Sequence, residues 1–269
     1  MTYERVYWAP TQPRLTLSRN RLRLRTETNA EIDERRLRWR YRLRVSIFIF
    51  AVALTLLVLS AGYDAIRSFV TLEQVERARD QWQRPSEIIQ KLNLRGGNVV
   101  VDIGSGVGYF TFKLSHVVGK SGKVLPVDIK EFPLCVLRTR GFLMGDRNID
   151  AILAEPDDPH LPPAEVDAVL VLNTYHELTH PALILDQLSR SLKPGGHLVI
   201  VDGGPSAGHE TGKSEDHAVA SEEVEATLRR RGFEVLQRHD QFTQQPGDGR
   251  WWIILARKPP KAGGRSGEP

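Results

Sequence analysis

The stretch Val99-Val100-Val101-Asp102-Ile103-Gly104-Ser105-Gly106-Val107-Gly108-Tyr109-Phe110-Thr111-Phe112 carries the reading of the whole chain. Three β-favouring valines lead to an acid, glycines then recur at every second position, and an apolar helical pattern follows. That order describes a buried parallel strand, a tight turn and a helix N-terminus, the opening unit of an α/β sheet. Gly104 and Gly106 allow dihedrals closed to other residues and let a ligand come close to the backbone, while Gly108 keeps the helix near the strand. The loop lacks the G-K-[ST] ending of a Walker phosphate loop. Its G-x-G-x-G spacing also differs from the G-x-G-x-x-G of a dinucleotide site, so a pyrophosphate at this helix N-terminus is not indicated.

Downstream the pattern repeats. Residues 123–128, KVLPVD, read as a second strand, although Pro126 cannot donate to a ladder. Asp128 stands 20 residues after Gly108, where a carboxylate suits the two hydroxyls of a ribose. Residues 132–144 read as a helix and 149–153 as a short third strand. Residues 166–172, VDAVLVL, are apolar after Asp167 and make a central fourth strand. That strand delivers Asn173, Thr174, Tyr175, His176 and Glu177 at its C-terminal end, the edge where open α/β sheets bind ligands. His176 has the right proton affinity for a general base, and it equally suits substrate contact or a structural hydrogen bond. Tyr175 is a second candidate, and His217 a third if the loop 203–217 reaches the site. A helix over 182–192, a strand over 197–202, a helix over 221–231 and strands over 233–237 and 251–256 complete the reading.

These residues resemble the class I S-adenosylmethionine-dependent methyltransferases. Asp102 matches the acid that ends their first strand and helps to hold the methionyl part of the cofactor, and Gly104, Ser105, Gly106 and Gly108 match their glycine loop. Asp157, four residues before Leu161-Pro162, matches an acid that meets the adenine amino group. Asn173 and His176 match the polar positions after the fourth strand. Leu192-Lys193-Pro194-Gly195-Gly196 is a second hallmark, about 90 residues after the first. The resemblance covers roughly residues 80–256 and implies a Rossmann-like, mostly parallel seven-stranded sheet of order 3-2-1-4-5-7-6, with S-adenosyl-L-methionine as cofactor. A W-Q-x-P element such as Trp82-Gln83-Arg84-Pro85 precedes the glycine loop in small bacterial methyltransferase-like proteins of quinone-methyltransferase type. The N-P-P-Y sequence of enzymes that methylate amide or base nitrogens is absent.

The N-terminal third differs in kind. Residues 1–44 hold 12 Arg, no Lys and 5 acids, a net of +7, so the other 225 residues carry −3 of the total +4. The basicity belongs to this tail, read as unstructured, and a nucleic-acid partner is not implied. Residues 45–63 contain no charge and are nearly all apolar, long enough to cross a bilayer as one helix. A single-pass protein of a bacterial inner membrane is expected. Arg35, Arg36, Arg38, Arg40, Arg42 and Arg44 crowd the N-terminal flank, which by the positive-inside rule puts the domain outside the cytoplasm, whereas cofactor supply asks for the inside. Residues 64–95 read as a helical lead-in with Leu72, Val75, Ala78 and Trp82 as its apolar stripe and Arg77 and Arg79 turned away. The lead-in acts as a packing collar or as a lid over the cofactor. The domain then spans 96–256, and 257–269 reads as a disordered tail.

One cysteine, Cys135, excludes an internal disulfide and an all-Cys metal site. His176, His209, His217 and Glu177 show no metal-ligand spacing, so no metal is expected. The reading is methyl transfer to a small or lipophilic acceptor. Two alternatives stay beside it: a cofactor-binding or scaffolding protein without turnover, and a methyltransferase acting on a membrane protein partner.

Overall fold

The computed structural model describes residues 29–204, 218–246 and 249–260. Two compact units divide at Ser68 and Phe69. The first consists, among the described residues, of the N-terminal part of helix α1 (Asn29–Gln83). Residues 30–44, read above as part of an unstructured tail, are therefore helical, and the rest of that tail lies outside the described residues. Every residue of 45–63 is exposed, so this apolar stretch covers no part of the core. It is long and apolar enough to cross a membrane.

The second unit is built on a seven-stranded sheet of order 3-2-1-4-5-7-6. Its strands are β1 (Val99–Ile103), β2 (Lys123–Asp128), β3 (Ile152–Leu153), β4 (Val166–Leu172), β5 (Leu192–Gly203), β6 (Glu234–Gln244) and β7 (Arg250–Arg257). β1 to β5 pair in parallel, and β7 is inserted antiparallel between β5 and β6. The helices α2 (Pro85–Lys91), α3 (Tyr109–Val118), α4 (Glu131–Met144), α5 (Pro181–Ser191) and α6 (Ser221–Arg230) cover its faces. Ile88, Leu92, Phe110, Leu114 and Val118 pack one face, and Ile184, Leu185, Leu188, Val224 and Leu228 pack the other. In β4, Ala168 to Val171 are at most 1% exposed, which explains why this strand is apolar after Asp167 instead of alternating. Each fully buried Leu or Val there contributes about 1.5–3 kcal/mol.

Several boundaries moved. The third strand is two residues long, because the Val124–Ile149 pairing is only an isolated bridge. That gap accommodates Pro126. Val124 donates to Asn148 O on the β3 side, Pro126 has the same parity, and its missing donor falls where no strand is paired. β6 runs on to Gln244 through two irregularities, beyond the strand over 233–237 expected from the sequence. Lys258, assigned above to a disordered tail, is tied to the Gly195–Gly196 turn: its N–H donates to Gly196 O and its carbonyl accepts from Gly195. Residues 261–269 lie outside the described residues.

The lead-in differs most. α1 ends at Gln83, and residues 69–83 belong to the second unit. Val75 and Ala78 are exposed, while Leu72, Glu76, Arg79 and Gln83 form the inward stripe. Both sets obey helical spacing. The polar set faces inward because partners wait for it: Arg140 binds Glu76 through two bonds of 2.8 and 3.0 Å, and Arg79 lies 4.1 Å above the Tyr109 ring. Trp82 meets Trp251 edge to face at 5.3 Å, and its carbonyl accepts the Thr243 hydroxyl, so the anchoring role read for Trp82 is present.

Candidate active site

β1, β2, β4 and β5 end together, and the chain reverses its direction of strand addition between β1 and β4, the crevice where such sheets take ligands. The glycine loop lies there. The N–H groups of Gly104 and Ser105 donate to Val127 O at 2.8 and 3.2 Å, and Gly106 N–H donates to Asp128 Oδ2 at 2.9 Å. Asp128 Oδ1 accepts from Lys130 N–H, so the acid is fixed at the end of β2. Arg140 donates to Val107 O at 2.7 Å and thus ties the loop to α4 and, through Glu76, to α1.

All three loop glycines have positive φ, but for different reasons. A Cβ on Gly104 would overlap the Thr174 side chain, and one on Gly108 would meet the Phe112 ring at 2.6 Å. Those two glycines are required by internal packing. Over Gly106 nothing lies within 4 Å. That is the open cradle of the loop. Beside it the Ser105 hydroxyl is buried without a partner.

Asp102 is 3% exposed and accepts the Thr111 hydroxyl at 2.7 Å. Burial lifts its proton affinity to about 7, against the lowering effects of Thr111 and of the Arg79 charge. Across the crevice, Asn173 takes a left-handed conformation (φ 52°), a strain that Asn tolerates better than most residues. Its N–H donates to Val201 O, and a 3₁₀ turn over Tyr175–Glu177 follows. The turn presents His176, whose Nδ1 lies 2.8 Å from Asp202 Oδ1. Asp202 is the penultimate residue of β5, its side chain is 2% exposed, and it also accepts the backbone N–H of His176 and of Gly203. A carboxylate can only accept, so His176 Nδ1 is the donor, which leaves Nε2 as the acceptor of the neutral ring.

One site reading does not hold. Tyr175 is 5% exposed and packs in the core cluster with Ile184 and Val224, where burial pushes its phenol up, so it is no candidate for catalysis. Asp157 is exposed and binds His180 Nδ1 at 2.7 Å, beside the start of α5, and no described contact joins it to the glycine loop. Its partner is 23 residues away, which spacing to a Leu-Pro pair could not reveal. His217, with His209, lies outside the described residues. Asp202 was missed, and its signal was present: an acid ending the strand next to β4. Arg79 was missed because it was assigned to the outer face.

A cofactor made of adenosine and methionine fits this set. Asp128 has acceptors for ribose hydroxyls, Asp102 has a buried carboxylate for an ammonium, Gly106 leaves room for close approach, and the exposed Ile129 next to Asp128 offers an apolar surface for a flat base. Comparison with known proteins agrees. The ubiquinone/menaquinone biosynthesis C-methyltransferase UbiE of Pseudomonas fluorescens (strain Pf0-1) is 34% identical over 122 residues, 45% of this chain and 47% of that protein. The chain thus spans about half the length of the curated relatives it matches. A crystal structure of an S-adenosylmethionine-dependent methyltransferase from Aquifex aeolicus superposes with a TM-score of 0.57 at 26% identity, covering 65% of this chain and 89% of that one. Phosphoethanolamine N-methyltransferase 2 of Haemonchus contortus, solved with S-adenosyl-L-methionine, shares the fold at 17% identity and a TM-score of 0.56, over 66% of this chain and 53% of that one. Residues 53–207 match the profile of the ubiE/COQ5 methyltransferase family, more than half of the sequence, and the chain belongs to that family.

Proposed function

We propose that this protein transfers a methyl group from S-adenosyl-L-methionine to a ring carbon of a lipophilic hydroquinone. The observation that carries the reading is the His176–Asp202 pair, joined through Thr174 to the glycine loop. When bound, the cofactor supplies an electrophilic methyl on a sulfonium. Asp102 would hold its ammonium, Asp128 its ribose and Gly106 its close approach to the backbone. Holding donor and acceptor in line accounts for much of the rate of such a displacement. A hydroquinone carbon becomes nucleophilic when its neighbouring hydroxyl loses a proton. His176 Nε2 has the free lone pair for that proton, and Asp202 stabilises the imidazolium that results. The methylated carbon would then give up its hydrogen as a proton to water, and the oxygen would regain the proton held by His176, which restores the aromatic hydroquinone with one proton released overall. The kinship with a ubiquinone/menaquinone C-methyltransferase supports this acceptor class.

The apolar part of α1 serves in this reading as a membrane span, which concentrates the chain in the phase where such an acceptor dissolves. The domain faces the cytoplasm, because the cofactor is made there, against the pull of the Arg-rich flank. The test is methyl transfer by the full chain in detergent, with labelled cofactor and a prenylated hydroquinone lacking one ring methyl. Label in the ring is expected. Cofactor binding with no transfer would instead favour the scaffolding reading, and label appearing only in membrane proteins would favour a protein acceptor.

A further inference from the structure

Helix α4 carries two apolar faces, and the domain covers only one of them. Leu134 and Leu137 are fully buried. On the other side Phe132, Cys135, Thr139, Phe142 and Leu143 are exposed and recur at helical spacing, within about 100° of arc. Ile129 aside, five large apolar side chains of the second unit are more than half exposed among the described residues. They are Phe132 (78%), Phe142 (67%), Leu143 (66%), Met144 (59%) and Val75 (52%). Four of these lie on α4. Val75 lies on α1 beside Glu76, which Arg140 of α4 binds at 2.8 Å. Single exposed apolar residues are ordinary on a protein surface, whereas one helix that collects them marks a surface built for an apolar phase or partner.

The charges on the same helix select the occupant. No acid occurs from Phe132 to Gly145, while Arg138 and Arg147 flank the apolar stripe. Arg147 lies 5.4 Å over the Phe142 ring, and Arg138 donates to Ala151 O at 2.9 Å. Exposed rings beside cations, with acids kept out, suit the headgroup layer of a bilayer with anionic lipid. A second copy of the stripe would bring no acid to pair with these cations. A bilayer is also within reach. Tyr63, the end of the apolar stretch of α1, precedes Glu76 by 13 residues, a tether of at most about 45 Å even fully extended. We propose that α4 docks the domain on the bilayer surface, with Phe142, Leu143 and Met144 in the headgroup layer and Arg138 and Arg147 on anionic phosphates. The proposal rests on the reading of α1 as a membrane span. Docked in this way, the domain stays against the phase in which a lipophilic acceptor dissolves.

The test uses the full chain in vesicles of phosphatidylcholine and phosphatidylglycerol. In a Cys135→Ser background, Leu143→Cys or Glu223→Cys carries an environment-sensitive dye. Glu223 is exposed on α6, which covers the sheet face away from α3, whereas α4 packs beside α3 with Arg140 at 4.7 Å over the Phe112 ring. With nitroxide-bearing lipid, the dye at 143 should be blue-shifted and quenched, and the dye at 223 neither. Adding Phe142→Glu should abolish the quenching at 143 without lowering the melting temperature in detergent, because Phe142 is exposed. Water-like emission without quenching at 143, or equal quenching at both sites, would overturn the proposal. A blue shift at 143 that is not quenched and disappears on dilution would assign the face to a second copy, which also overturns it. A chain that does not float with the vesicles would instead reject the membrane span, a result distinct from those.

Discussion

His176 Nδ1 and Asp202 Oδ1 stand 2.8 Å apart, one just beyond the end of β4 and the other at the end of the adjacent parallel strand β5. The pairing follows from register. Leu172 lies opposite Val201, so the turn after β4 and the last residues of β5 meet at one edge. Asp202→Asn keeps an acceptor for the backbone N–H groups but loses the charge that stabilises an imidazolium. The turnover number should fall by about 10²–10⁴, while cofactor affinity changes by less than about threefold. Steady-state rates together with a cofactor titration check this. A parallel loss of binding would reduce Asp202 to a structural role.

Asp102 sets cofactor recognition against stability. Its folded-state value, about 7, lies above the ordinary 3.8 because burial disfavours the charge. The stability it contributes is therefore fully present below pH 3.8 and is lost as pH rises through 7. Asp102→Asn removes the burden of a buried charge above that range. Without cofactor, the variant should melt higher than wild type at pH 8.5, by about 1–3 kcal/mol, with the gap narrowing at pH 6. Cofactor affinity should rise with pH through 7 in wild type and be low at every pH in the variant. Thermal melts at both pH values decide the first point and titrations the second.

The glycines of the loop separate packing from binding. Gly104→Ala must take a positive φ and also push aside Thr174, so it should destabilise the fold by about 2–4 kcal/mol. Gly106→Ala meets only the φ penalty of about 1–2 kcal/mol. Its cofactor affinity should nonetheless drop at least tenfold, because the methyl enters the open cradle. If the two variants lose stability and affinity in the same ratio, the distinction between them fails.

Cys135 is the single cysteine and is exposed on α4. A membrane-impermeant maleimide should leave it unlabelled in intact cells and label it after lysis, as a cytoplasmic domain requires. Labelling in intact cells would place the domain outside and remove its supply of cofactor.

The strand–loop–helix unit, the order of the sheet and the edge where Asp102, Asp128 and His176 gather were legible in the sequence. The order of the sheet follows from the resemblance to the methyltransferase fold, and the rest from local pattern: apolar runs for buried parallel strands, glycines where the backbone turns, polar residues directly after a strand. The glycines already announced a loop, yet only packing distinguished Gly104, filled by Thr174, from Gly106, open to a ligand. The stripe of α1 shows the limit most clearly. Leu72, Val75, Ala78, Trp82 and Leu72, Glu76, Arg79, Gln83 are both helical faces, and hydrophobicity selects the first. The tertiary structure selects the second, because Tyr109 and Arg140 reach it from far along the chain and make burial of charge favourable there. Local composition thus determined what elements form and in what order. Which side chains face one another across them was decided by long-range electrostatic partners that no window of sequence contains.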